Sequence, residues 1–370
     1  MRRRYRSPAM HSRARVSSLR LNCCRSPSRM PRTISRRDLL LVASAASVWG
    51  ASRPLAGAAI GTRSIRIANA SGTLELTLDA LMRQQQFLES LGLDPRIMRV
   101  ADGTRILGGV VGGSVDASMM SGFGQVFPAI AHGAGIKILG GCTRRPTLAL
   151  FSAKPYVRAL SDLEGRTVGT GSIGALVYQL TVLLLRKYGV NVSRVRFVSI
   201  GSSADIFRAV SAGTVDAGAG EAALVPEAAN YRVHPLEHGD MTVELEQYTF
   251  NGAWASDHVI NSKRDTLVRT LAAYAKLYRY VQSPKAHEAF IRARRSLFPN
   301  ASATDHEAQW RYIQTYKPFA VDLILGPPRL RYMQEVNVGF GVQTSVLPFS
   351  EVADMSLAAD ALRLLARRPA

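Results

Sequence analysis

A twelve-residue pattern occurs twice in this chain and constrains its possible folds more than any other feature of the sequence. Residues 106–117 read ILGGVVGGSVDA, and residues 206–217 read IFRAVSAGTVDA. Each copy predicts a short helix, a left-handed glycine at its carboxyl end (Gly113 or Gly213), and a strand that opens with Val-Asp-Ala. The aspartate of each copy is placed to accept backbone N–H bonds. Two copies about 100 residues apart predict two similar α/β units, because the repeats of a solenoid are far shorter.

The pattern between and around the two copies supports the same fold class. From Thr62 onward, short apolar segments alternate with amphipathic ones, as in residues 64–68 (strand) and 74–91 (helix). The second unit repeats this with a strand at 167–169 and a helix at 173–188, and residues 264–345 are mainly helical. We therefore predict an α/β protein with two lobes, each a central β-sheet flanked by helices.

The amino terminus has the order of parts of an export signal. Ser35 to Leu40 read SRRDLL, a twin-arginine pattern, and an apolar run over 39–49 follows. That run is shorter than the roughly 20 residues that span a bilayer, and Ala56-Gly57-Ala58 provides a cleavage site. We expect export through the twin-arginine machinery. The alternative is an ordinary secretory signal with a charged flank, which also directs the product out of the cytoplasm.

The residues before this signal read as a separate extension. Residues 1–29 are rich in Arg and Ser, and Met30 opens a conventional signal sequence, MPRTISRRDLLL. We expect translation to begin at Met30. The alternative is that residues 1–29 form a disordered basic extension, which their composition also allows.

The strongly basic charge belongs largely to this amino-terminal region. The chain carries 47 Lys and Arg against 27 Asp and Glu, a net charge of +20. Residues 1–58 contain 13 Arg and one acid, Asp38, so they hold +12 of that charge and leave +8 for the mature chain. A charge that is removed with the signal is no argument for nucleic-acid binding. We expect no nucleic-acid partner.

Cysteine and histidine usage predicts neither a metal site nor a cofactor. Cys23 and Cys24 precede the signal, so the mature chain keeps only Cys142 and has neither an internal disulfide nor a cysteine zinc cluster. The seven histidines do not show a metal-binding spacing. His234 and His238 are four residues apart, but Pro235 lies between them and the segment is predicted to be a loop.

Four loops that follow predicted strands carry small and polar residues. They contain Ser71 to Thr73, Ser121 to Phe123, Thr170 to Ile173, and Glu221. In open α/β sheets, ligands bind at the carboxyl ends of strands, and free N–H groups at a helix start favour an anion. Simple N-capping explains any single loop. Four loops, two from each unit, favour a ligand cleft.

A family resemblance rests on the second unit. Residues 161–169 read SDLEGRTVG, and they precede a Gly/Ser turn, a helix and Gly-x-Val-Asp-Ala. This order resembles ABC-transporter substrate-binding proteins of the nitrate/sulfonate/taurine type, which are related to thiamine-pyrimidine precursor proteins. The resemblance covers roughly residues 62–320. It implies a type II periplasmic binding protein-like fold, with crossing strands near 147–152 and 247–254 acting as a hinge.

The resemblance also implies the domain limits. We expect the signal region at 1–58, the first lobe at 59–148 and 250–345, the second lobe at 149–249, and a carboxyl-terminal helix and tail at 346–370.

The resemblance places the candidate ligand-binding residues on the cleft loops and near the second crossing. They are Ser71, Gly72, Thr73, Ser121, Gly122, Phe123, Thr170, Gly171, Ser172, Ile173, Glu221, Asn251 and Trp254. Phe123 and Trp254 are placed to stack on a planar ligand, although lone aromatic residues usually belong to the core. The cleft loops contain no arginine to bind an anion, and Arg144 and Arg145 are candidates only by their position. The Gly220-Glu221 pair matches the start of a family loop that otherwise differs.

The predicted function is the periplasmic solute-binding component of an ABC-type importer. It would bind a small anionic or aromatic organic solute, such as a sulfonate, carboxylate or pyrimidine-like compound, and deliver it to a membrane permease. We expect a monomer and no enzymatic activity, because the cleft loops lack Lys, His and Cys. The alternatives are an enzyme of the thiamine-pyrimidine precursor synthase-like type and an exported ligand sensor for a membrane receptor.

Overall fold

The computed structural model of the protein describes residues 63–101 and 103–367. The predicted signal within residues 1–58, its start at Met30 and its cleavage site at Ala58 lie outside the described residues. Ten strands form the framework of the described residues. They are β1 (Arg63–Ala70), β2 (Leu93–Val100), β3 (Ala117–Ser121), β4 (Ile136–Thr143), β5 (Leu148–Ser152), β6 (Thr167–Thr170), β7 (Arg196–Ser199), β8 (Ala217–Glu221), β9 (His234–Asp240) and β10 (Asn251–Ser256).

The strands form two five-stranded sheets of matching design. The first has the order β2-β1-β3-β10-β4 and the second the order β7-β6-β8-β5-β9. Three parallel strands in each sheet are followed by an antiparallel strand, β10 in the first and β5 in the second. The predicted α/β fold class with two sheets is confirmed.

Helices cover both sheets and fill most of the carboxyl-terminal third. The α-helices are α1 (Thr73–Gln84), α2 (Gly103–Val111), α3 (Val126–Ala131), α4 (Leu176–Lys187), α5 (Ser203–Ser211), α6 (Met241–Glu244), α7 (Asp257–Ser262), α8 (Arg264–Val281), α9 (His287–Leu297), α10 (Ala303–Tyr316), α11 (Pro327–Gly339), α12 (Phe349–Val352) and α13 (Ser356–Ala366). Short 3-10 helices lie at Glu89–Leu91, Leu160–Leu163, Val192–Arg194, Ala222–Tyr231 and Pro284–Ala286. Among the described helices, none combines the length and the apolar character needed to cross a bilayer.

The sequence repeat corresponds to the same structural unit in each sheet. Gly113 and Gly213 follow α2 and α5 with φ of 72° and 71°, the predicted left-handed conformation. Asp116 Oδ2 accepts the backbone N–H of Arg66 at 2.8 Å, and Asp216 Oδ2 accepts that of Thr167 at 2.8 Å. Each aspartate therefore links the start of one strand, β3 or β8, to its parallel neighbour, β1 or β6.

Two predicted elements differ from the structure. The helix predicted over 74–91 ends at Gln84, and the chain then forms the separate 3-10 turn before Gly92. The segment around His234 and His238, predicted to be a loop, is strand β9 at the edge of the second sheet. Pro235 is compatible with this position because an edge strand leaves one row of backbone groups unpaired.

The chain passes between the sheets twice. The first passage is residues 144–147, between β4 and β5, and the second is residues 241–250, between β9 and β10. The predicted crossings near 147–152 and 247–254 begin within these connections and continue into the strands that follow. The limits of the two lobes stay a prediction.

Gly252, in the centre of the first sheet, leaves no room for a side chain. A Cβ at this position would overlap the carbonyl oxygen of Gly140 and lie 2.6 Å from Cζ of Phe123. We expect Gly252→Ala to lower the free energy of unfolding by about 1–3 kcal/mol, the usual cost of overpacking a core. Urea denaturation of the purified chain measures this change.

Gly108 offers the matched control. It lies in α2, and a Cβ there would meet nothing within 4 Å. Because alanine favours a helix over glycine by about 1 kcal/mol, Gly108→Ala should leave stability unchanged or raise it. Equal losses in the two variants would contradict the packing argument.

Candidate functional site

A cavity of about 370 Å³ opens between the two sheets, where loops after their strands face one another. The first sheet contributes the loops after β1 and β3 and the start of β10. The second contributes the loop after β6, the start of α5 and the end of β8. Eight predicted site residues line this cavity: Ser71, Gly72, Ser121, Gly122, Gly171, Ser172, Glu221 and Asn251.

Five predicted residues do not line the cavity. Phe123 and Trp254 are fully buried, and Phe123 packs edge-on against Phe127 in the core. Thr170 is also fully buried, whereas Ile173 is 59% exposed at the surface. The predicted stacking of Phe123 and Trp254 on a ligand is therefore wrong, because large aromatic side chains gain more by filling a core. Phe250, the neighbour of Asn251, provides the aromatic wall instead.

Thr73, the fifth of these residues, lies just behind the cavity wall. Its hydroxyl is close enough to Glu221 to lower the pKa of that carboxyl. It forms no hydrogen bond with good geometry. Thr73 belongs to α1 and Glu221 to β8, so this approach occurs between elements attached to different sheets.

The structure adds cavity residues that the sequence did not reveal. They are Glu75, Arg105, Gln125, Thr147, Ser202 and Ser203. The two serines follow strand β7, with Ser202 capping α5 and Ser203 beginning it, so the same loop rule that identified the other segments would have found them. The predicted cleft loops contain no arginine, but Arg105 of α2 lies at the exposed rim of the cavity.

The two arginines that were candidates by position have other partners. Arg144 forms an ion pair with Asp322, and Arg145 lies 3.6 Å from Glu246. Neither lines the cavity. Their proximity in sequence to the first passage between the sheets does not bring them to the site.

Glu75 is the buried acid on the first-sheet side of the cavity. It lies at the third position of α1 and is 6% exposed. Its Oε1 accepts a hydrogen bond from Asn251 Nδ2 at 2.8 Å, and its Oε2 lies where a Cβ on Gly72 would be. Burial, reinforced by the charge of Glu221, raises the pKa of Glu75 to about 8.

Glu221 is its counterpart on the second-sheet side. It ends β8, is 8% exposed, and its Oε1 accepts a hydrogen bond from Ser203 Oγ at 3.1 Å. Burial raises the pKa of Glu221, and the Ser203 hydrogen bond and the charge of Arg294 oppose this rise. The cavity therefore contains one buried carboxyl from each sheet.

Two buried asparagines fix the backbone around Glu75. Asn69 Oδ1 accepts the N–H groups of Met119 and Met120, both at 3.1 Å, and its Nδ2 donates to Asp79 Oδ1 at 3.0 Å. Asn251 Oδ1 accepts the N–H of Thr143 at 3.1 Å. These bonds tie the ends of β1, β3, β4 and β10 together, so the loops of the first sheet have a rigid base.

Carboxylates already occupy two helix starts at the cavity. Glu75 lies at the start of α1, and Asp205 caps α5, where its Oδ2 accepts the Ser202 N–H at 3.1 Å. Ser202 Oγ in turn accepts the Asp205 N–H at 3.3 Å. The start of α1 was one of the predicted anion sites, whereas the start of α5 was not among the four predicted loops. At α1 and α5, acids of the chain itself take that place.

The sheets approach closely at one side of the cavity. Ser121 ends β3 of the first sheet and Gly122 follows it, whereas α4 belongs to the second sheet. A Cβ on Gly122 would lie 3.0 Å from Leu176 Cδ2, and one on Gly124 would overlap Gln179 Oε1. The small residues of this loop therefore permit direct contact with α4.

Comparison with protein-family models identifies the family of this chain. The model described as NMT1/THI5 like matches residues 81–286, more than half of the chain and parts of both sheets. The chain belongs to the NMT1/THI5-like family. This match confirms the family resemblance predicted from the sequence. No curated protein sequence matches the chain.

Solved structures share the fold of this NMT1/THI5-like protein at low sequence identity. A protein from Bordetella bronchiseptica RB50 is 16% identical with a TM-score of 0.68, covering 83% of this chain and 99% of that one. The alkanesulfonate-binding protein SsuA from Xanthomonas axonopodis pv. citri, bound to MOPS, is 16% identical with a TM-score of 0.62, covering 81% and 98%. The desulfurization enzyme DSZB is 14% identical with a TM-score of 0.57, covering 82% and 99%. These matches confirm the periplasmic binding protein fold.

Cys142 of this family member does not belong to the cavity. It is fully buried, and its Sγ lies 3.5 Å from Thr143 Oγ1. Burial raises the pKa of the thiol to about 12, so it stays protonated at neutral pH. Within residues 63–101 and 103–367, no three His, Cys, Asp or Glu side chains are grouped as a metal site would require.

The raised pKa of Glu75 predicts a pH-dependent stability. Because the folded-state pKa of about 8 exceeds the ordinary glutamate value of 4.5, folding favours the protonated carboxyl, and this contribution is lost as pH rises through 8. The free energy of unfolding should fall between pH 5 and pH 8, by at most about 1.4 kcal/mol per pH unit for this group. Glu75→Gln should flatten this dependence in urea denaturation at several pH values.

The exposed acid Glu89 provides the control. It lies in the 3-10 turn after α1, on the protein surface. Glu89→Gln should retain the pH dependence of the unmodified chain. A slope in Glu75→Gln equal to that of Glu89→Gln would contradict the assignment of the effect to Glu75.

Proposed function

We propose that this protein is the solute-binding component of an ABC-type importer, which captures a small organic solute and delivers it to a membrane permease. The observation that carries the proposal is the cavity lined by strand-end loops from both sheets. A cavity of about 370 Å³ lies in the range of small-molecule sites. The fold shared with sulfonate-binding SsuA supports the same function.

Capture depends on movement of the two sheets about their connections. Only residues 144–147 and 241–250 link β4 to β5 and β9 to β10. Rotation about two such short connections would open and close the cavity, as in hinge closure around a ligand. The contact of Gly122 with Leu176 would then form on closing. The thirteen candidate ligand-binding residues are reduced to the eight that line the cavity, joined by Glu75, Ser203 and Phe250.

The location and partners follow from the amino-terminal sequence. The twin-arginine pattern at residues 35–40 supports export as a folded protein to the periplasm, with cleavage near Ala58. There the protein would act as a monomer that meets the importer's permease, without nucleic acid or a bound cofactor.

An enzymatic role has less support than binding. DSZB demonstrates that this fold also carries an enzyme. Here, the described residues that line the cavity include no Cys, His or Lys, and Cys142 is buried elsewhere. General acid–base chemistry would require Glu75 and Glu221 to act on a substrate bond, whereas binding requires only that they accept hydrogen bonds.

Ligand-induced stabilisation tests the binding function. The purified chain is screened by thermal shift against sulfonates, carboxylates, nitrate, pyrimidines, aromatic acids and organic amines. A ligand at 100 times its dissociation constant stabilises the folded state by about 2.7 kcal/mol. Small-angle scattering at saturation should then show a smaller radius of gyration. An unchanged envelope with a saturating ligand would refute the closing mechanism.

A wedge at Gly122 tests whether closure is needed for affinity. Gly122→Leu places a branched side chain against Leu176, where even a Cβ is only 3.0 Å away. We expect at least a tenfold loss of affinity for any ligand found in the screen, measured by calorimetry. Gly108→Leu, on an open helix surface, should bind normally. Equal affinities in both variants would contradict the role of this contact.

A further inference from the structure

We propose that the cavity selects a compact organic cation, whose protonated nitrogen is held between Glu75 and Glu221. This inference rests on the proposed binding function and names the ligand class of the same site. It replaces the anionic solute suggested by the loop sequences.

Both carboxyls face the cavity from opposite sides. Glu75 comes from the helix after β1, and Glu221 from the end of β8, so each sheet supplies one. They are 6% and 8% exposed, and the charge of Glu221 adds to burial in raising the pKa of Glu75. A cation between them would contact one acid of each sheet and would thereby favour the closed arrangement.

Neither carboxyl has a counter-ion within salt-bridge distance in the described part of the chain. The hydrogen bonds that they accept from side chains come from neutral groups, Asn251 Nδ2 and Ser203 Oγ. Without a counter-ion, burial favours the protonated form of Glu75, and a bound cation would stabilise the ionised carboxylates.

The wider charge balance around the cavity is also acidic. Arg294, 6% exposed, acts electrostatically on Glu221, but it acts on the buried Asp305 as well. Asp79 lies below Glu75 with no exposed surface, and Arg99 approaches it only to 3.9 Å. Arg294 therefore acts on two buried acids, Glu221 and Asp305, whereas the charges that act on Glu75 are those of the acids Glu221 and Asp79. Arg105 is exposed at the rim, where solvent screens its charge.

The remaining cavity wall suits an organic ion rather than a hydrated metal ion. Phe250 provides an aromatic side chain, and Leu148, Leu176 and Val177 provide apolar surface. Aromatic faces attract organic cations. Ser121 is 1% exposed and lines the cavity, and its hydroxyl forms no hydrogen bond with any described residue. This unpartnered hydroxyl is an independent sign that a polar ligand group belongs here.

A matched set of probes tests the charge preference on the unmodified chain. Benzamidine, benzamide, benzoate and benzenesulfonate share one ring and differ in the charge of the attached group. We expect calorimetry to give an affinity for benzamidine at least tenfold above that for the other three. Tighter binding of benzoate or benzenesulfonate would overturn the proposal and leave the binding function intact.

Variants assign the preference to the two acids. Glu75→Gln and Glu221→Gln should each weaken benzamidine binding at least tenfold and leave benzamide within about twofold, whereas Glu89→Gln should change neither. Unchanged benzamidine affinity in both cavity variants would overturn the proposal. If neither these probes nor any compound of the wider screen binds, the proposed function itself fails, and the cation inference fails with it.

Discussion

The insertion of β10 between β3 and β4 is the interaction on which the rest of this structure depends. It returns the chain from the second sheet and completes the first, with pairs such as Gly252 with Ser121 and Asn251 with Thr143. Asn251, the first residue of this strand, also donates to Glu75. One antiparallel strand therefore closes the first sheet, places the second passage between the sheets, and orients a carboxyl of the cavity.

Much of this architecture could be predicted from the sequence because it is local. The two Val-Asp-Ala repeats specified equivalent helix–strand units, and Gly113 and Gly213 adopt the conformation that their positions imply. Whether an acidic side chain is buried depends on residues that are distant in the sequence. Glu75 reads as an ordinary first-turn helix residue until β10 places Asn251 beside it, and the segment from His234 forms a strand only because β5 is its neighbour. The aromatic residues Phe123 and Trp254 were misplaced for the same reason, since core packing decides their direction.

In this cavity, the presence of N–H groups and hydroxyls in the strand-end loops does not by itself determine which ion is bound. Loop sequence shows that backbone N–H groups and hydroxyls are available, but it does not show what they bind. In this protein the starts of α1 and α5 are taken by Glu75 and Asp205. A helix start that is occupied by an acid of the chain itself does not offer its N–H groups to an anionic solute.

The connectivity of the two sheets has a consequence for how the chain folds. All five strands of the second sheet lie in one continuous segment, from β5 to β9, whereas the first sheet needs β10, which follows that whole segment. The second sheet can pair as soon as its own residues are available. The first must wait for contacts of high contact order, whose loop-closure entropy is larger. We therefore expect pairing of the interrupted sheet to be the slower step of folding, with the unpaired edges of β3 and β4 exposed to misassociation until β10 arrives.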